Sequence, residues 1–265
     1  MRLTISRTLA GCLRLSLIAR TAVAAQSCSA VTLRAPVHCA CTSAMSNPAI
    51  DPRASAILAY WFGDDWDTQP KLYHNAAYFK KWFMGGKAVD EEIVKKFGAD
   101  LVDMEAGKLD AWAQEPTTLL AGVVLMDQLS RNIHRNSAKM YALDHKALAW
   151  AKQAVAAGSC KALPFTQQAF LLLPYEHSEV LADQQECVRL FQEMAADVQA
   201  AVEASPDDEL GPPLLKLVAD MVVYAEAHLE IVAKWGRFPH RNAILGRAST
   251  PEEEAGLKDK SIRGF

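Results

Sequence analysis

Charged side chains occur at helix positions where apolar residues are expected, and one such group surrounds Asp127. Asp127 continues an apolar helical stripe and precedes Arg131 by four residues, the spacing at which an acid and a base pair along a helix. Asn132, a histidine and a second arginine follow by residue 135. Guanidinium groups bind carboxylates and phosphates through two parallel hydrogen bonds, whereas cations at a helix end also stabilise the helix dipole. The segment therefore predicts either a helix-end ion pair or a site for an anionic ligand.

A second polar group lies at residues 174–179, where a proline-terminated helix gives way to the next helix. Ser178 is predicted to cap that next helix and Glu179 to lie in its first turn, where the helix dipole favours an acid. Capping does not account for His177, a side chain that titrates near neutral pH. His177 is interpreted either as a packed residue at the helix start or as a ligand-facing one.

The third polar group lies on and after the last long helix. His228 falls on the apolar stripe of that helix, which is typical of a core histidine and also compatible with a pocket. The helix is predicted to break at Gly236, and Arg237, His240 and Arg241 follow in an irregular turn. Arginines that only satisfied helix-end carbonyls would need fewer polar neighbours, so this turn is a candidate binding segment.

The leading hypothesis from these segments is a binding protein. Its helices would enclose a pocket for a small anionic molecule or an anionic peptide end, with arginines and histidines from separate segments converging on the ligand. The predicted ligand-binding residues are Asp127, Arg131, Asn132, His177, His228, Arg237, His240 and Arg241.

Two alternatives remain open. In an enzyme, His177 or His240 would act as general acid or base, Glu176 or Glu179 would orient it, and arginines would stabilise negative charge on the substrate. The candidate catalytic residues are then His177, His240 and Glu179. In a scaffold, a concave helical surface would bind a protein partner.

The sequence predicts neither a cofactor nor a metal site. Glu226 and His228 are two residues apart, whereas helix-borne metal ligands normally lie three or four residues apart. A glycine-rich phosphate loop and a nucleophile-elbow motif are both absent from the sequence.

Helices must position these residues, because apolar residues recur at helical spacing from Asp51 onward and strict two-residue alternation does not occur. The prediction is an all-α domain over residues 51–265, built of antiparallel helix pairs as in a tetratricopeptide-like array. Its predicted helices are residues 52–62, 73–84, 91–106, 117–130, 137–157, 165–173, 179–202 and 214–235, and a last helix opened by a capping box at Thr250 and Glu253.

Residues 1–50 have a different composition, with five arginines, eleven serines or threonines, and neither lysine nor acid. This is typical of an organelle transit peptide, predicted to be disordered. A secretory signal is an alternative, but Arg14 and Arg20 interrupt its apolar part, and a disordered tail is a third interpretation. The abundance of serine, threonine, alanine and cysteine favours the chloroplast, with the mitochondrion as the alternative.

The charge of the remaining chain argues against nucleic acid as a partner. Without the five arginines of residues 1–50, the chain has 23 basic and 31 acidic residues, which gives a formal charge of −8. Binding phosphate backbones requires a basic excess. No apolar run reaches the 18 residues that a membrane-spanning helix needs, so no membrane span is predicted.

Three sequence blocks carry a resemblance to a known family. The segments 125–133 (LMDQLSRNI), 173–179 (LPYEHSE) and 236–253, which contains GRFPHRN and LGRASTPEE, resemble the signature blocks of the domain of unknown function 924 family, as does Trp61-Phe62-Gly63. The resemblance covers about residues 54–258. It implies an all-α fold related to tetratricopeptide-like arrays, found in bacteria and in plastid-bearing eukaryotes, and it implies no established activity.

Overall fold

Helices account for all the regular structure in residues 50–67, 76–205 and 211–262, the residues that the computed structural model describes. The all-α prediction is confirmed, while the tetratricopeptide-like arrangement stays a prediction. The helices are α1 (Pro52–Phe62), α2 (Ala76–Phe83), α3 (Lys87–Glu105), α4 (Pro116–Val123), α5 (Ser130–Ile133), α6 (Asp144–Ala156), α7 (Phe165–Glu176), α8 (Leu181–Ala204), α9 (Gly211–Trp235) and α10 (Pro251–Lys258). Short 3-10 segments occur at Asp110–Gln114, Ala138–Tyr141, Ser159–Ala162 and Pro239–Arg241.

The predicted transit peptide lies outside the described residues, apart from Ile50. Residues 73–75, with which the second predicted helix begins, also lie outside them. The leader and its destination therefore remain predictions, as do the exact bounds of the domain.

Local signals set the first and last helices. The Asp51 side chain accepts a hydrogen bond from the Arg53 amide at 2.9 Å, and proline occupies the first position of α1, where no amide hydrogen is needed. At α10, Thr250 and Glu253 form the predicted capping box, in which each side chain bonds the other residue's amide. Both predicted helix starts are confirmed.

Several predicted boundaries are wrong. The α3 helix begins at Lys87 rather than at residue 91, and α8 begins at Leu181 with Val180, not Ser178, as its N-cap.

The α7 helix does not end at Leu173 but continues through Pro174 to Glu176, because its last turns are buried and the buried Gln184 side chain donates to the Glu176 carbonyl at 2.6 Å. The single helix predicted over 137–157 is instead a 3-10 segment followed by α6, with the break before Asp144.

A π-helical turn, Val124–Leu129, joins α4 to α5. The spacing of apolar residues predicts one regular helix here, so this turn departs from the expectation. A π turn inserts an extra residue into the helix and rotates the side chains that follow it. Asp127 lies in the middle of this turn and is fully buried.

The core is built around α4 and α7. Thr118 to Val123 of α4 and Thr166 to Glu176 of α7 are buried on all sides, as expected for helices at the centre of a domain. The α1, α6 and α7 helices pack on α4, and α8 packs between α7 and α9.

Gly122 allows the closest approach in this core. A Cβ atom at Gly122 would overlap the Trp150 ring of α6 and lie 3.3 Å from the Met104 Cε atom. Only a glycine lets α4 and α6 pack at this distance, since the Trp150 ring is fixed in the core.

We expect Gly122→Ala to lower the free energy of unfolding by about 1–3 kcal/mol, because the added methyl overpacks the core. Urea denaturation measures the change. Gly98→Ala is the matched control: position 98 lies within α3 and a Cβ there meets only a Val94 methyl at 4.0 Å. That variant should gain about 0.5–1 kcal/mol from helix propensity. Equal effects of the two substitutions would contradict the packing argument.

Candidate functional site

A buried carboxylate and a histidine form the centre of the candidate site. Asp127 Oδ1 lies 2.7 Å from His177 Nδ1. Asp127 is fully buried, whereas the His177 side chain is 17% exposed. The pair brings together residues separated by 50 positions in the sequence.

The end of α7 positions His177. His177 directly follows the last residue of α7, and the Gln184 side chain of α8 donates hydrogen bonds to the carbonyls of Glu176 and Ser178 on either side of it. The His177 carbonyl accepts a hydrogen bond from Arg241 Nη1 at 3.0 Å. These bonds satisfy the helix-end carbonyls and fix the backbone that carries the imidazole.

Arg131 compensates the buried charge of Asp127. Its Nη2 atom lies 3.5 Å from Asp127 Oδ1, and its Nη1 atom also donates to the Asp127 carbonyl. Burial alone would raise the pKa of Asp127, but the charge of Arg131 and the hydrogen bonds from His177 and Gln128 act against burial, and that pKa lies below its usual value. Asp127 is therefore ionised at neutral pH.

Because an ionised carboxylate can only accept hydrogen bonds, the hydrogen between Asp127 and His177 belongs to His177 Nδ1. Burial, helped by the nearby charge of Arg131, lowers the pKa of His177, although Asp127 opposes that shift. His177 is then neutral at pH 7, with a lone pair on Nε2. No described residue forms a hydrogen bond with Nε2.

Asp144 extends the cluster to α6. Arg131 binds Asp144 through two hydrogen bonds of 3.1 Å, one from each terminal nitrogen. Arg241 Nη1 lies 3.7 Å from Asp144 Oδ2. The Arg241 guanidinium packs against two aromatic rings, 4.6 Å from the Tyr141 centroid and 4.4 Å from the Phe238 centroid.

A second carboxyl–imidazole pair lies beside the first. Glu176 Oε1 is 3.4 Å from His228 Nδ1, which forms a 2.8 Å hydrogen bond to the Tyr224 carbonyl. Burial raises the pKa of Glu176 to about 8, with a smaller contribution from the charge of Asp127, and burial lowers the pKa of His228 to about 3. At neutral pH this pair is a carboxylic acid next to a neutral imidazole, and the ring centroids of His228 and His177 are 6.4 Å apart.

The structure brings together most of the predicted site. Asp127, Arg131, His177 and Arg241 share one hydrogen-bonded cluster, and His228 packs against its edge. His240 lies next to this cluster with its ring 5.6 Å from that of Phe238, and burial lowers its pKa to about 4.

Three of the predicted site residues form their polar contacts outside this cluster. Asn132 donates to Asp90 of α3 at 2.8 Å. Arg237 binds Glu253 through two 2.7 Å hydrogen bonds, which tie the turn after α9 to α10. Glu179 pairs with Arg247 and accepts a bond from the Phe238 amide, so it orients neither His177 nor His240.

Sequence reasoning missed Asp144 and Tyr141. Asp144 stands in the first turn of α6, where an acid is common for helix-dipole reasons alone, so its type and position gave no separate signal. It also missed that Asp127, rather than Glu176 or Glu179, orients His177. The four-residue spacing of Asp127 and Arg131 was the available signal that Asp127 belongs to a charged cluster.

Two pockets of the described surface lie away from this cluster. One, of about 360 Å³, is lined by α3, by α5 and by the segment after α5, and its lining includes Asn132 and the paired Asp90 and Arg135. The other, of about 600 Å³, lies beside Tyr60 and Lys96. Both are open surface depressions, and neither contains a histidine. The chemistry of the side chains, rather than pocket volume, therefore locates the candidate site.

The described part of the chain offers neither a metal-binding cluster nor a membrane-spanning helix. Within it, three or more His, Cys, Asp or Glu side chains never group closely enough to hold a metal ion. Its helices also include none of the length and apolarity required to cross a bilayer.

The sequence blocks that form this cluster belong to a known family. The family described as bacterial protein of unknown function (DUF924) matches residues 57–261. The chain is a member of this family. The match includes Asp127, Arg131, His177 and Arg241 and confirms the resemblance, while an organelle-targeted eukaryotic origin stays a prediction.

A solved structure supports the membership. The chain is similar to a protein of unknown function from Agrobacterium tumefaciens, with 30% identity and a TM-score of 0.59 over 78% of this chain and 97% of that chain. The curated proteins include no match. This DUF924 member therefore has relatives that share its fold and that are described without an activity.

The buried Glu176 carboxyl predicts how stability depends on pH. Its pKa is about 8 in the folded protein and 4.5 as the reference value. The folded state thus holds a proton that the unfolded state releases, and stability falls as pH rises from about 4.5 to about 8. Glu176→Gln removes this ionisable group, so the stability of the variant relative to the wild type should rise between pH 5 and about pH 8 and then stay constant.

Urea denaturation at pH 5, 7 and 9 checks this. Glu230→Gln is the matched control, since Glu230 is an exposed glutamate of the same helix as His228. A stability difference between Glu176→Gln and the wild type that stays constant over this pH range would show that Glu176 is not a buried acid.

Proposed function

We propose that this DUF924 member is an enzyme in which His177, oriented by Asp127, acts as a general base and then as a general acid. One observation carries the proposal: Asp127 Oδ1 holds His177 Nδ1 at 2.7 Å, and the opposite nitrogen has no hydrogen-bond partner among the described residues. A carboxylate that fixes the tautomer of a partly exposed histidine is the arrangement that general-base catalysis needs.

The proton transfer follows from the protonation states. His177 Nε2 takes a proton from an acidic O–H, N–H or C–H group of the substrate, and the imidazole becomes an imidazolium. The Asp127 carboxylate stabilises this positive charge without taking up the proton itself. The imidazolium then returns the proton from Nε2 to the product, which restores the neutral base.

The surroundings support a role in proton transfer. Arg131 keeps Asp127 ionised, so the orienting group does not compete for the proton. The lowered pKa of His177 keeps the base in its neutral form at pH 7. Asp127 holds the imidazole through a 2.7 Å hydrogen bond from within the core.

A passive anion pocket has weaker support than catalysis. Of the arginines assigned to such a pocket, Arg131 already binds Asp144 through two hydrogen bonds, and Arg237 binds Glu253 in the same way. A scaffold role has no particular observation in its favour, since a helical array alone fixes no function.

The test of catalysis suits a substrate of unknown identity. The full chain is incubated in D2O with a polar metabolite extract of bacterial cells, and mass spectrometry records metabolites that are consumed, formed or deuterated. The wild type should change at least one metabolite, and His177→Gln should lower the rate by about 100-fold or more. His145→Gln is the matched control, because His145 is an exposed histidine of α6.

Thermal unfolding confirms that the compared variants are folded. If the wild type changes no metabolite, or if His177→Gln changes the same metabolites at the same rate, the proposal is wrong.

A second prediction concerns the tautomer and pKa of His177. Heteronuclear NMR of the labelled imidazole should show hydrogen on Nδ1 at pH 7 and a titration midpoint below 6.5, the usual value. Asp127→Asn should lower that midpoint further, because the carboxylate that stabilises the imidazolium is removed. Hydrogen on Nε2 at pH 7, or a midpoint above 6.5, would contradict the proposed base.

The same titration predicts the pH profile of the reaction. The value of kcat/KM should rise with pH through the His177 midpoint and remain constant at neutral pH, because the neutral imidazole is the active form. A rate that falls through this midpoint would assign His177 to another role.

A further inference from the structure

Arg241 has a nearly buried guanidinium group, one edge of which forms no hydrogen bond with the described residues. Its side chain is 8% exposed and packs between the Tyr141 and Phe238 rings. Both polar contacts that it makes with described residues come from Nη1, to the His177 carbonyl at 3.0 Å and to Asp144 at 3.7 Å. The Nε atom is buried without a partner, and no described residue accepts a bond from Nη2.

The Nε and Nη2 atoms form the edge with which an arginine binds a carboxylate through two parallel hydrogen bonds. Four other arginines of the described residues use that edge. Arg53 binds Asp51 through it at 3.3 and 3.1 Å. Arg135 binds Asp90 at 2.5 and 2.8 Å, Arg189 binds Glu186 at 2.8 and 2.7 Å, and Arg237 binds Glu253 at 2.7 and 2.7 Å. In Arg241 the same edge has no hydrogen-bond partner among the described residues, and it lies in a much more buried setting.

The charges around Arg241 favour the binding of an anion. Asp144 already receives two 3.1 Å hydrogen bonds from Arg131, and its contact with Arg241 is longer, at 3.7 Å. Burial and the neighbouring positive charge of Arg131 lower the pKa of Arg241. A buried cation is normally paired, and a buried N–H donor without a partner is costly. An anion bound to the Nε–Nη2 edge would pair with the charge of Arg241 and accept the hydrogen bond that Nε lacks.

The neighbouring residue has a second unpartnered nitrogen. His240 Nδ1 is also buried without a hydrogen-bond partner among the described residues. The unpartnered nitrogens of His240 and Arg241 therefore belong to the same short 3-10 turn, Pro239–Arg241. Arg241 of this turn also donates a hydrogen bond from Nη1 to the His177 carbonyl.

We infer that the Nε–Nη2 edge of Arg241 binds a carboxylate or phosphate group of the substrate on which His177 acts. The role of that anion as part of a substrate rests on the function proposed above, whereas its binding does not. The substrate class is then a small organic acid or a phosphate ester. Its anionic group anchors on Arg241, and its reacting hydrogen meets His177 Nε2.

Binding is tested with acetate and with inorganic phosphate as separate probes at constant ionic strength. NMR follows the Arg241 Nε–H signal and the His177 imidazole signals of the full chain. Either anion should shift both signals saturably, with a Kd on the order of millimolar, as expected for a ligand of four or five heavy atoms. The tighter of the two probes identifies the substrate as a carboxylic acid or a phosphate ester, and sodium chloride should produce no saturable shift.

Arg241→Lys keeps the positive charge and removes the two parallel N–H donors. It should therefore weaken binding of the anion at least about tenfold, as measured from the His177 signals. Arg189→Lys is the matched control, because it removes an edge that Glu186 already occupies on the surface. Since Arg241→Lys could also disturb packing, its thermal unfolding is measured. The direct shift of the Arg241 Nε–H signal in the wild type needs no variant.

The outcomes separate this inference from the proposed function. Saturable binding in the wild type and in His177→Gln, without any His177-dependent reaction, supports the anion site and overturns the catalytic proposal. The absence of a saturable Arg241 shift with both anions overturns the anion site, as does unchanged binding in a folded Arg241→Lys variant. His177-dependent turnover with KM unchanged in Arg241→Lys also overturns the anion site, while the catalytic proposal stands.

Discussion

The buried charge of Asp127 is the constraint on which the rest of the site depends. A carboxylate with no solvent exposure is costly unless charged and hydrogen-bonding partners surround it. Arg131 and His177 supply them from α5 and from the end of α7, and Asp144 of α6 in turn binds Arg131. Removing one member of such a buried group typically costs about 3–5 kcal/mol, since the remaining charge is left unpaired. Orientation of His177 and cohesion of these helices therefore come from the same contacts.

A π turn carries the buried acid in a segment that is otherwise mostly apolar. Every residue from Thr118 to Met126 is buried, and Asp127 follows them within the Val124–Leu129 turn. The extra residue of such a turn changes the directions of the side chains around it, and here Asp127 contacts His177. Such π turns are rare and frequently occur at functional sites, so the presence of one at this position agrees with a functional rather than a purely structural origin.

The fold was more predictable than the site because local sequence signals determine helix ends. Asp51, Pro52 and the Thr250 capping box each act within four residues, and α1 and α10 begin where these signals lie. The partner of an arginine is instead chosen by tertiary structure. Arg237 and Arg241 are four residues apart and looked equivalent in sequence, yet Arg237 binds Glu253 fully while the Nε of Arg241 has no described partner. Only the packed chain separates a structural arginine from a candidate binding one.

Long-range contacts also imply that the site forms together with the complete domain. His177 is 50 residues from Asp127 and 64 residues from Arg241. Bringing the ends of such long stretches of chain together costs conformational entropy before the contacts can form. The C-terminal segment that carries Arg241 is fixed by Glu179, which binds both Arg247 and the Phe238 amide next to the His177 turn. The folding of this segment therefore determines whether Arg241 lies next to His177. A partly folded chain could retain the Asp127–Arg131 pair, which lies within one helical run, but it would lack the assembled acid–base site.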